Sequence, residues 1–347
     1  MTSYVILANP GHNRIYFDAA ISMARQELSA IAWKFGIPLH VEEDRTVEGL
    51  PTHLCFSTEK PLEGAALQAI GASSLYYALF ERTDGELLRP VRMPEFRCFD
   101  ESMNSILHYT GKTNEQFTRL MVNLAVAACR TNRPKLNLLD PMCGKGTTLY
   151  EGLIRGMDVT GVEINAHWFS EMSNYIVKYL QMGRYKHTTE KGKRSLHGKK
   201  LAEQFKVVTA PTKEAFAADQ TCTFEIFHGD TRLCDTLLRK NSMDLLVSDL
   251  PYGVQHASKA TAGGTQQLSR SPYALLKESL PAWRTVLRPG GALVLSFNEH
   301  TLHYDGTADL LERSGFEVLR EPPFSGYQHR VDQSILRDLI VAVAKPR

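Results

Sequence analysis

Leu136-Asn-Leu-Leu-Asp140-Pro141-Met-Cys143-Gly144-Lys-Gly146-Thr147-Thr-Leu149 reads as a buried strand, a glycine turn and a helix start. The apolar run ends in an acid. The two glycines let the backbone approach a ligand closely, and the amphipathic segment from Thr148 to Arg155 presents a helix N-terminus beside the turn. A second strand, Met157-Asp-Val-Thr-Gly-Val-Glu163-Ile-Asn, ends in another acid. It follows the turn by about 20 residues, the separation at which a carboxylate meets ribose hydroxyls in strand–turn–helix nucleotide folds. The spacing fits a nucleoside bound across strand ends.

Of two commoner glycine turns, one is excluded and the other fits poorly. A triphosphate loop needs Ser or Thr directly after its lysine, and Lys145 is followed by Gly146; a dinucleotide turn wants a third glycine, and that position is Leu149. Asp140 at the start of the turn would repel a pyrophosphate, yet could meet the cationic end of S-adenosylmethionine. The implied cofactor is S-adenosylmethionine.

Beyond the turn, strands are predicted at 158–162, 223–227, 243–248, 291–297, 316–321 and 338–344, with helices at 166–182, 231–239, 272–286 and 307–314. This alternation predicts an α/β fold of the Rossmann-like type, a mostly parallel seven-stranded sheet covered on both faces, with the ligand outside the carboxyl ends of the strands. The last two strands form an antiparallel edge.

One of those strands, Met243-Asp-Leu-Leu-Val-Ser, runs into Asp249-Leu250-Pro251-Tyr252. A carboxylate and a turn carbonyl accept the N–H bonds of a planar amine while the ring stacks on its face, and proline fixes the turn. Such a tetrapeptide alone would more often be an ordinary turn. Joined to the glycine turn and Glu163, it marks a site for chemistry on an exocyclic NH2.

From about 104 to 345 these residues resemble the Rossmann-like S-adenosylmethionine-dependent RNA methyltransferases, and among them the tRNA guanine-N2 group. The elements that carry the resemblance are Asp140-Pro-Met-Cys-Gly-Lys-Gly-Thr, Glu163, Gly229-Asp230, Asp249-Leu-Pro-Tyr and Leu287-Arg-Pro-Gly-Gly, with the lead-in from His108 to Ala125. Leu250 stands where the group commonly has proline, and Lys145 where many relatives carry a small residue. The resemblance implies that Asp140 and the backbone of Gly144 and Gly146 face the methionine part, with Pro141, Cys143 and Thr147 completing the turn. It places Glu163 at the ribose, Asp230 at the adenine amine, and Asp249, Leu250, Pro251 and Tyr252 at the target base. Related turns serve enzymes acting on adenine or cytosine amines in DNA or rRNA, or on glutamine amides in protein. A non-catalytic binding module would be expected to lack Asp249 or break the glycine turn, and both are intact.

A chain of 347 residues predicts two domains. No apolar stretch approaches the roughly 20 residues of a membrane span, and the N-terminus lacks the charged region of a secretory signal. The six cysteines, at 55, 98, 129, 143, 222 and 234, show neither C-x-x-C spacing nor clustering with histidine. They read as reduced thiols without structural zinc, in a cytoplasmic protein. His300, His303 and His329 read as ordinary histidines.

Residues 1–95 alternate strand-like and helix-like segments, which suggests a small α+β module, a ferredoxin-like arrangement being one candidate, as a substrate platform. Leu88 to Arg97 reads as the linker to a methyltransferase domain at 104–347. The net charge of +2 is uninformative, but residues 184–200 carry seven Lys or Arg against one Glu. That run, with Lys193, Arg194, Lys199 and Lys200, reads either as a solvated insertion or as an RNA-phosphate contact. The glycine-rich loop 255–270 could close over a flipped base or be an ordinary surface loop.

Overall fold

The computed structural model describes residues 1–11, 14–42, 46–83, 87–105, 113–196, 199–251 and 271–346. The N-terminal part runs β1 (Thr2–Ala8), α1 (Arg14–Phe35), β2 (Leu39–Glu42), β3 (His53–Thr58), α2 (Gly64–Gly71), β4 (Tyr76–Arg82) and β5 (Leu88–Pro90). Its sheet is antiparallel, in the order β2-β3-β1-β4-β5. The first six elements follow the split βαβ pattern of ferredoxin-like modules. Residues 88–90, expected in the linker, are instead the edge strand of this sheet.

Two helices, α3 (Ser102–Ser105) and α4 (Glu115–Ala128), lead into the second sheet. Asn114 caps α4 by accepting the Phe117 N–H at 3.0 Å. Helix α4 is apolar on most of its circumference because it is covered on both sides. Phe117, Leu120, Leu124 and Ala128 are fully buried, and α4 packs on α1 as well as on the second sheet. A buried polar link accompanies this packing. The Glu27 carboxylate on α1 accepts from the Ser74 N–H at 2.9 Å and from the Asn123 amide on α4, while Asn123 accepts from Arg155 at 2.5 Å. Burial pushes the Glu27 carboxyl above its usual range.

The second sheet takes β6 (Asn137–Asp140), α5 (Thr147–Ile154), β7 (Asp158–Glu163), α6 (Ala166–Met182), β8 (His187–Leu196), β9 (Lys199–Thr209), α7 (Lys213–Ala217) and β10 (Cys222–His228). A 3-10 turn (Thr231–Leu233) and the short α8 (Cys234–Leu237) then replace the longer helix expected at 231–239. The chain continues through β11 (Met243–Asp249), α9 (Pro272–Val286), β12 (Leu287–Asn298), α10 (Tyr304–Arg313), β13 (Phe316–Val318), β14 (His329–Arg330) and β15 (Leu336–Ala344).

The strand order is β13-β15-β12-β11-β6-β7-β10-β9-β8, with β14 on β15. The sheet therefore has ten strands and is mixed, where seven mostly parallel strands were expected. The seven foreseen strands are all present. The additions are β14 and the basic insertion, which folds into a hairpin and pairs antiparallel along β10.

Alternation along the central strands divides two cores. Leu138, Leu245, Val247, Val294 and Val341 face α4, α5 and α6, whereas Leu139, Leu246, Leu293, Leu295 and Ile340 face α8, α9 and α10. All ten of these side chains are buried. The strands β6, β7, β10 and β11 run parallel, so their carboxyl ends share one rim. Among the described residues, no helix is long and apolar enough to cross a membrane.

Candidate active site

The rim gathers an acid from each parallel strand. Asp140 ends β6, Glu163 ends β7, Asp230 follows β10 and Asp249 ends β11. The register His228↔Glu163 keeps the ends of β7 and β10 level, while Asp140, opposite Gly161, lies two residues deeper.

The glycine turn closes between them. Gly144 and Gly146 have φ of +55° and +90°, a region that L side chains avoid. At Gly146 an added Cβ would also lie 3.0 Å from Met172 Sδ. Cys143 N–H donates to the Val162 carbonyl at 3.1 Å, and Gly146 N–H to the Cys143 carbonyl at 2.7 Å. Glu163 completes the turn: one oxygen accepts the Gly144 N–H at 2.8 Å, the other the Asn165 N–H at 2.7 Å. Asn165 in turn caps α6. Asp140 accepts from Ser248 Oγ at 2.7 Å and from Met142 N–H at 3.2 Å. Lys145 is paired with Glu171 on α6 at 2.9 Å, which accounts for a lysine in this turn.

Both acids are buried, and burial is the main reason their carboxyls titrate high. Asp140 is pushed up to about 6, a shift moderated by its bond from Ser248, and Glu163 to about 7, moderated by the backbone N–H groups. Two such acids in one cleft mark a functional site better than either alone. The Cys143 thiol is buried and pushed well above its ordinary value, by burial first and by Asp140 and Glu163 next. That environment suits a packing residue and disfavours a thiolate nucleophile.

A stability prediction follows from Glu163. Its folded value, about 7, lies above the usual 4.5, so the unfolded chain loses this proton first as pH rises. The associated stability is complete below about pH 4.5 and is lost as pH climbs through 7, on the order of 3 kcal/mol in all. Glu163→Gln removes the titration. Denaturant melts across pH 4.5–8 should show the wild type losing stability relative to Glu163→Gln; a pH-independent difference would contradict this account.

The remaining positions differ in how they are held. Asp230 caps the 3-10 turn by accepting Arg232 N–H at 2.9 Å, and it pairs with the Arg232 guanidinium, which also reaches Glu278. Pro141 and Thr147 are buried in the turn. Asp249 Oδ2 accepts from Thr113 Oγ1 at 2.8 Å and lies 3.7 Å from Arg337. Leu250 is buried, and its N–H donates to the Ser296 carbonyl at 2.8 Å, pinning the turn to β12. Pro251 is exposed. Tyr252, the lead-in residues 108–112 and the loop 255–270 lie outside the described residues.

Lys193 and Arg194 are exposed on β8, and the Arg194 guanidinium sits 5.9 Å from the Phe227 ring. Lys199 and Lys200 open β9, their side chains outside the described set. Glu203 pairs with His228 at the end of β10, so the backbone of 199–202 runs on beyond that strand end, with Ala202 still buried against Gly229. The basic tip therefore stands on the edge where the acids open.

Sequence reasoning gave no role to Thr113, which it named only within the lead-in, or to Arg337. His329, read as an ordinary histidine, is buried beside this rim with its ring edge-on to Phe117. His303 is exposed, as expected of a surface histidine. All six cysteines are free, and among the described residues no cluster of His, Cys, Asp and Glu could hold a metal.

Residues 107–302 match the family model described as UPF0020: RMKL-like, methyltransferase domain. Solved structures give distant likenesses. A TehB-like SAM-dependent methyltransferase from Corynebacterium glutamicum is 14% identical, with 62% of this chain and 83% of that one covered, at a TM-score of 0.35. The magnesium protoporphyrin IX methyltransferase from Synechocystis, solved with bound SAM, is 14% identical over 67% and 79%, at a TM-score of 0.39. An rRNA methylase from Streptococcus thermophilus is 9% identical over 61% and 88%, at a TM-score of 0.34. No curated protein matches the chain.

Proposed function

The chain belongs to the RMKL-like methyltransferase family, and from that footing we propose that it methylates an exocyclic amine of a nucleobase, guanine N2 in tRNA, in the cytoplasm. Its cofactor is S-adenosylmethionine. The observation that carries the proposal is the placement of Asp249 and the pinned Leu250 turn on the same rim as Asp140 and Glu163.

The residues present fit that cofactor. Left-handed glycines and the N-terminus of α5 offer close backbone approach, and two buried acids, costly to ionise alone, gain from hydroxyl donors and from a nearby cation. In this reading Glu163 holds the ribose, Asp140, Pro141, Cys143, Gly144, Gly146 and Thr147 line the methionine part, and Asp230 meets the adenine amine on the oxygen edge it shares with Arg232. When bound, the cofactor supplies an electrophilic methyl group.

The chain's own task is to prepare the acceptor. An amine attached to an aromatic ring is a weak nucleophile because its lone pair is delocalised. Asp249 and the Leu250 carbonyl accept its N–H bonds and draw them from the ring plane, which returns the lone pair to nitrogen. Tyr252 stacks on the base, and Pro251 fixes the turn. Positioning and directed acceptors supply the catalysis.

For the polymer we assign residues 1–95 as a substrate-binding unit and 104–347 as the methyltransferase unit. The hairpin tip grips phosphates. Incubation with isotopically labelled cofactor and separated pools of tRNA, rRNA, DNA and protein tests the substrate class. Label in tRNA supports the reading, and label confined to DNA or protein overturns it. Replacing Lys193, Arg194, Lys199 and Lys200 by Ala should weaken tRNA binding and flatten its salt dependence, with cofactor affinity unchanged. Filter binding across a salt series checks this; an unchanged slope would remove the hairpin from the interface.

A further inference from the structure

Asp249 is held by more than its strand. The Leu250 N–H bond to Ser296 fixes the backbone after it, but the terminal torsion of an aspartate is broad, so the backbone alone does not set the plane of the carboxylate. Two contacts from distant segments do, and both fall on the same oxygen, Oδ2. Thr113 Oγ1 donates to it at 2.8 Å, and the Arg337 guanidinium stands 3.7 Å away.

Each contact comes from a segment tied into the fold. Thr113 immediately precedes Asn114, which caps α4 through the Phe117 N–H and whose carbonyl accepts from Thr118 Oγ1 at 3.1 Å. Arg337 is the second residue of β15, opposite Asn298 of β12. It is only 7% exposed, and its guanidinium sits 4.5 Å from the centre of the buried Phe117 ring. His329, the cross-strand partner of Arg337, lies edge-on to Phe117 at 5.3 Å, with Nδ1 2.9 Å from the Tyr327 carbonyl. Burial, and then Arg337, hold the His329 imidazole below its ordinary value, so it stays neutral beside the guanidinium.

We propose that Thr113 and Arg337 are positioning residues that clamp Oδ2 of Asp249, so that the carboxylate meets the target amine in one orientation. The proposal rests on the reading of Asp249 as the amine's acceptor. A carboxylate free to rotate would spend much of its time misdirected, and small misplacements of a catalytic group are costly in rate.

The test is single-turnover transfer of labelled methyl to bulk tRNA, or to whichever pool the wild type labels, with cofactor affinity measured by calorimetry on each variant. Thr113→Val keeps the shape and loses the hydroxyl; Thr113→Ser keeps the hydroxyl and loses the methyl. The clamp predicts a fall in turnover of about tenfold or more for Val and within about threefold for Ser, at unchanged cofactor affinity. A role in packing alone predicts the reverse order. Arg337→Met and Arg337→Lys give a second pair, with turnover lower in Met than in Lys. Val as active as wild type, or Ser no better than Val, overturns the clamp. If Asp249→Asn is inactive while Thr113→Val is fully active, the clamp falls and the reading of Asp249 stands. Asp249→Asn at wild-type turnover overturns that reading itself.

Discussion

Asp249→Ala should abolish methyl transfer and leave S-adenosylmethionine affinity near that of the wild type. Asp249 lies on β11, on the far side of β6 from Glu163, and accepts from Thr113 beside the Arg337 guanidinium. Removing one charged acceptor aimed at the reacting nitrogen costs on the order of 3 kcal/mol in the barrier, a hundredfold or more in rate. The neighbouring Leu250 turn is pinned to β12 through its own backbone, so the truncation leaves the strand intact. Single-turnover rates and calorimetric affinities on the same preparation separate the two effects. A variant with near-normal turnover would reject the role.

Glu163→Ala is expected to have the second largest effect, and on the other property. The carboxylate does two things at once. It accepts the N–H groups of Gly144 and Asn165, which sets the turn against the start of α6, and in our reading it holds the ribose. Its loss leaves two backbone donors to water and removes charge-assisted bonds worth roughly 1.5–3 kcal/mol each. Cofactor affinity should fall about a hundredfold or more, measured by calorimetry with S-adenosylmethionine or its demethylated product. Because binding to an ionised Glu163 would be favoured, wild-type binding near pH 7 should release protons. Unchanged affinity in the variant would take Glu163 out of the cofactor site.

What could be read from sequence was local. The strands ending in Asp140, Glu163 and Asp249 show themselves because an apolar run, an acid and a turn residue are contiguous, and the parallel topology then brings them to one rim. The helices expected at 166–182 and 272–286 coincide with α6 and α9, the second capped by Ser271. The hairpin was seen only as charge. A strand such as β8, exposed from 188 to 195 and rich in Lys and Thr, shows no apolar alternation there, and only pairing with β9, itself on β10, reveals it. The helix expected at 231–239 is cut short because Leu238 returns to extended backbone. Thr113 was visible only as part of the lead-in from His108 to Ala125, with no role attached, and Arg337 carries no local signature. They matter only through a contact with Asp249 across 136 residues in one case and across β12 in the other. Side chains of that kind are found by the fold and not by the motif.

The measurement closest to the central claim is mass spectrometry of nucleosides digested from bulk tRNA after incubation with the enzyme and a cofactor carrying a deuterated methyl group. The account predicts labelled N2-methylguanosine, absent when Asp249→Ala replaces the wild type; label on a ring nitrogen or a ribose, or none in RNA while DNA or protein is labelled, would contradict it.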